Sequence, residues 1–139
     1  MSTLRIMLAL SVLALFAAPA AAQTSRTPDV RGTWTCRGEA LRAVTAEQSD
    51  PQVISADAEY VIQEQQGSRF WGTKNVVRNG ETLTERILGV VLFDNRTVIL
   101  IDHDGKITWT LSGTRRALGH YAETGEVLVI SRMRCTKRR

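Results

Sequence analysis

From Arg31 onward, apolar and polar residues alternate in short runs, and each run is bounded by a turn signal. In "KITWTL", Ile107, Trp109 and Leu111 share one face while Thr108 and Thr110 take the other, which is the period of a β-strand. In "EVLVISRMRC", Val127, Val129, Ser131, Met133 and Cys135 lie on one face, and Leu128, Ile130, Arg132 and Arg134 on the other. "ERILGVVLF" and "TVILID" are apolar on both faces, as expected of strands covered twice or facing another subunit. The separators are QGS (66–68), NGE (79–81), DNR (94–96), DGK (104–106), SGT (112–114) and TGE (124–126), residues that tolerate tight hairpin geometry. Their spacing of roughly 8 to 15 residues is that of an antiparallel meander.

Eight strands are predicted, over 31–39, 58–65, 69–77, 82–93, 97–102, 106–111, 115–121 and 127–137. "EALRAVTAE" (39–47) consists of good helix formers and reads as a helical turn or as an extension of the first strand. "QSDPQVISADAE" (48–59) contains Pro51 and reads as an irregular rim loop. Eight strands in an open sheet leave two bare edges, whereas eight is also the number that closes a small barrel. The expected fold is therefore all-β, an eight-stranded antiparallel up-and-down barrel. Its first and last strands then become neighbours, which brings Cys36 and Cys135, the chain's two cysteines, together across the seam. A disulfide there is expected to close the barrel, in keeping with an oxidising compartment.

Residues 1–22 read as a signal peptide: Arg5 gives a basic start, 6–18 an apolar run, and Ala20, Ala21 and Ala22 a small-residue cleavage site. The apolar run is short for a membrane span. Residues 23–30 then form a flexible N-terminal arm, and 31–139 the barrel domain. The expected location is periplasmic or extracellular, with no membrane-spanning segment after cleavage.

The formal net charge of +4 is gathered late in the chain, at Arg132, Arg134, Lys137, Arg138 and Arg139. Such a tail is a solvated terminus or a contact for an anionic envelope surface. No aromatic platform interleaves with these cations, so nucleic acid is not an expected partner.

No Cys-x-x-Cys pair and no Gly-x-Ser-x-Gly elbow is present, and neither histidine falls into a nucleophile–base set. No catalytic residue, cofactor or metal site is assigned. Asp102, His103 and Asp104 are metal-ligand types, but Asp104-Gly105 is a hairpin turn, and neighbours on a strand point apart. His120 faces outward if Ala117, Gly119 and Tyr121 face in. The candidate ligand contacts are aromatic: Trp34, Tyr60, Phe70 (or its neighbour Trp71), Trp109 and Tyr121. Gly72, Gly89, Ala117 and Gly119 leave room beside them, for a cavity or for the rings themselves.

"RGTWT" on the first strand of such a barrel resembles the calycin group, which includes lipocalins, avidins and bacterial metalloprotease inhibitors. "VRGTWTC" followed by "RFWGTK" is most similar to the avidin pattern. The residue two positions after Trp34, a polar biotin contact in avidins, is Cys36 here, so the resemblance does not carry biotin binding. The stretch 89–113 also resembles small exported bacterial barrels. The aromatic set and the long loop over 48–58 point to a module that binds a small apolar or amphipathic ligand, or to a scaffold. The alternative is a protease-inhibitor-like or envelope interaction module acting through the N-terminal arm or the rim loops. Apolar outer faces on the fourth and fifth strands (82–93 and 97–102) add a homo-oligomer to the expected partners.

Overall fold

A computed structural model describes residues 26–46 and 50–139. The expected signal peptide, its expected cleavage position and the first residues of the expected arm lie outside the described residues.

The described chain forms β1 (Gly32–Val44), β2 (Gln52–Ser55), β3 (Ala58–Gln66), β4 (Arg69–Arg78), β5 (Glu81–Val91), β6 (Thr97–Ile101), β7 (Gly105–Leu111), β8 (Arg116–Glu123) and β9 (Val127–Lys137). Every neighbouring pair is antiparallel, and β9 returns to pair with β1 from Trp34↔Lys137 to Val44↔Val127. β2 and β3 both pair with the same edge of β1, one above the other, so they are two halves of one stave. The break at 56–57 is held by β1: Ala56 N–H donates to the Gly38 carbonyl (3.0 Å), and Gly38 N–H donates to Asp57 Oδ1 (3.3 Å). The result is a closed barrel of eight staves.

Two local expectations resolve here. The helix formers at 40–44 are strand, because pairing with β9 over the whole segment outweighs a propensity of a few tenths of a kcal/mol per residue. The rim loop expected over 48–59 contains β2, a short exposed strand held only by β1.

One end of the barrel is solid. Trp34, Trp109, Tyr60 and Phe70 are fully buried there with Ile62, Ile87, Leu100 and Ile107. Trp109 packs against Trp34 (centroids 5.2 Å) and takes Tyr60 edge-on (5.1 Å). Glycines on neighbouring strands make room: a Cβ on Gly89 would lie 2.2 Å from the Phe70 ring, and one on Gly119 3.0 Å from Trp109. Phe70↔Gly89 and Trp109↔Gly119 are cross-strand partners, so the small residues seat rings. The arm is held down where it meets this end. Val30 is buried, its N–H donates to Gln65 Oε1 (2.9 Å), and its carbonyl accepts from Trp34 Nε1 (2.8 Å). Gln65 Nε2 donates to the Pro28 carbonyl (2.9 Å).

The other end is open. The β6–β7 hairpin turns early, at 102–104, while β4 and β5 run on past it. β5 pairs with β6 only from Leu88↔Ile101 to Val91↔Val98. Residues 81–87 of β5 therefore pair with β4 alone among the described residues, and the wall is low on that side.

Candidate functional site: a cup with a buried charge cluster

Strand parity decides what faces the open end. On β4, Phe70, Gly72, Lys74 and Val76 alternate inward, and on β9 so do Val127, Val129, Ser131 and Met133. Lys74 and Val76 of β4 and these four residues of β9 border a cavity of about 540 Å³. Tyr60, Lys74, Tyr121, Ser131 and Met133 line its deep part, with Ala40, Val76, Val127 and Val129 as apolar wall. Arg42, Arg78, Asp57 and Glu123 border the same cavity.

Lys74 is buried and forms ion pairs with two carboxylates, Glu85 (2.5 Å) and Asp102. The Asp102 side chain is wholly buried, and its second oxygen accepts the backbone N–H groups of Asp104 (3.1 Å) and Gly105 (2.6 Å). The Lys74 ammonium lies 5.1 Å from the centre of the Tyr121 ring. Desolvating three charges is costly, and only mutual pairing and hydrogen bonds offset it. One cation faces two anions, so the cluster carries one formal negative charge. Burial, and next the charge of Asp102, push the phenols of Tyr60 and Tyr121 up, and both stay protonated at neutral pH. Tyr121 donates its hydroxyl proton to Glu123 Oε2 (2.9 Å). Ser131 Oγ is buried with no hydrogen-bond partner among the described residues.

The five candidate aromatics are thus divided. Tyr60 and Tyr121 line the cavity, whereas Trp34, Phe70 and Trp109 belong to the packed end. Phe70 points in, and its neighbour Trp71 takes the outer face. Cys36 and Cys135 are bonded to each other at the seam, both buried. His120 is exposed, on the opposite face from Ala117 and Gly119. His103 is 88% exposed while Asp102 is buried inside, so the two diverge. Among the described residues no three His, Cys, Asp or Glu side chains gather in a way that would hold a metal ion.

The charge cluster was not singled out from the sequence, although its signal was present. Lys74 has the parity of Phe70 and Gly72, Glu85 that of Ile87 and Gly89, and Asp102 that of Leu100. Charged residues at inward parity on three neighbouring strands mark a buried polar site.

On the outside, Leu88 (53% exposed) and Ile101 (50% exposed) are cross-strand neighbours on β5 and β6. Arg37 and Arg134 face each other across the seam.

Compared with known proteins, the sequence matches no family model and no curated protein.

Proposed function

We propose that this is an exported binding module of calycin-like architecture that holds a small amphipathic ligand in the open cup. The carrying observation is the unequal filling of the barrel. One end is packed with the rings of Trp34, Phe70 and Trp109, while the other keeps a cavity of about 540 Å³. That is within the range of about 300–1,000 Å³ usual for small-molecule sites. The lining combines an apolar wall with a few polar groups at depth, as such sites do. The disulfide supports an oxidising, exported location. The cup contains no activated nucleophile, and the reading is of binding. Native mass spectrometry of the protein gently purified from its own host tests it. The expected spectrum shows a small-molecule adduct that leaves on denaturation. A bare chain that also fails to take up a neutral naphthylamine dye would overturn it.

A second reading rests on the exposed Leu88–Ile101 pair, which suits self-association through the outer face of β5 and β6. Sedimentation at rising concentration tests it. A concentration-dependent dimer weakened by Leu88→Lys is expected, and a monomer throughout would sink it.

A further inference from the structure

The headgroup chemistry of the ligand can be inferred from what the cup presents and what it hides, an inference that rests on the cup reading above. Two polar groups at the depth of the cavity can donate to a ligand, Lys74 and Ser131. Lys74 carries three N–H groups and forms ion pairs with two carboxylates, which leaves one for the cavity. Ser131 is buried, lines the cavity, and its hydroxyl has no partner among the described residues. Ser131 is the cross-strand partner of Tyr121, over whose ring Lys74 lies, so these groups share one corner of the cup. The carboxylates stand behind. Asp102 is wholly buried and Glu85 only 16% exposed, and neither lines the cavity.

Three headgroups are then distinguishable. An anion would meet donors, but Lys74 is already outnumbered, and the new charge would add to a net negative cluster in a poorly solvated site. A cation would meet the Lys74 ammonium before either carboxylate. An uncharged acceptor satisfies Ser131 and the spare Lys74 proton without changing the charge of the site. Around the cavity, Arg42 and Arg78 balance Asp57 and Glu123, so these four add no preference for either sign.

We propose that the cup selects an uncharged amphipathic ligand whose carbonyl or amide oxygen accepts from Ser131 Oγ and Lys74 Nζ, and that it discriminates against the matching carboxylate and amine. Isothermal titration of the unmodified protein with octanamide, octanoate and octylammonium at neutral pH tests this without relying on any variant's folding. The expected result is a Kd for octanamide at least about tenfold below those of both charged probes. Ser131→Ala is expected to weaken octanamide by roughly fivefold, the scale of one lost hydrogen bond, with an unchanged melting temperature. Equal binding of the three probes, or tighter binding of either charged one, overturns the headgroup assignment and leaves the cup reading standing. No binding of any of the three overturns both.

Discussion

Cys36 and Cys135 stand directly opposite each other on β1 and β9, with Cα atoms 4.0 Å apart and their sulfurs bonded. The bond joins residues 99 apart in sequence, so it encloses nearly the whole barrel in one covalent ring. Loop-closure entropy assigns such a ring about 4–5 kcal/mol of stabilisation, acting through the unfolded chain. Replacing both cysteines by alanine should lower the urea-unfolding free energy by an amount of that order. Because β1 and β9 remain hydrogen-bonded along the seam, far-ultraviolet circular dichroism should keep its β signature.

The Lys74 cluster responds asymmetrically to mutation. Lys74→Met strands two buried carboxylates, and breaking a buried pair in this way costs about 3–5 kcal/mol. Adding Glu85→Gln and Asp102→Asn removes the stranded charges, and the triple variant should regain more than half of the loss. Urea denaturation of the two proteins measures the difference. A single variant as stable as the parent would show that the three groups are not charged together.

The chain has two tyrosines, and both line the cup. Each phenol is raised above its ordinary value, chiefly by burial and then by Asp102. A raised folded-state value means stability that is complete below the unfolded phenol range, near pH 10, and lost as pH climbs above it. Phenolate absorbance should therefore stay flat in the native protein to about pH 11 and then rise together with loss of tertiary signal. Independent titration of either tyrosine at its ordinary value, with the fold intact, would contradict the burial described.

Phe70 covers Gly89 so closely that a methyl group there collides with the ring. Gly89→Ala should destabilise by about 1–3 kcal/mol, the usual penalty of overpacking. Combining it with Phe70→Leu should cost less than the sum of the two single changes, since the smaller side chain vacates the contested space. A thermodynamic double-mutant cycle measures that coupling.

Most of the barrel was legible because strand period and hairpin residues are local signals. Trp109 and Thr108 sort themselves by parity alone, whereas His120 was placed outside only by the register of β8. The seam disulfide followed from topology once eight strands had to close. What escaped depended on partners distant in sequence. The segment 40–44 is strand because β9 lies beside it, and β2 forms as the antiparallel partner of β1 at 39–42. Phe70 and Trp71 are adjacent and both aromatic, so only register chooses which enters. Asp102 sits beside a hairpin turn and reads as exposed; its burial follows from how Lys74 reaches across from β4.

The one-sided pairing of β5 between 81 and 87 has a consequence for solubility. Unpaired backbone amides and carbonyls recruit other chains, and natural proteins protect such borders with charge and short hydroxyl side chains. Glu81, Thr82, Thr84 and Arg86 provide that protection here, with Leu83 as its one apolar gap. The same notch that lowers the cup wall is thus also where this protein's colloidal solubility is most exposed to change. Swapping those few polar side chains for valines would turn this low stretch of wall into a nucleus for fibrils.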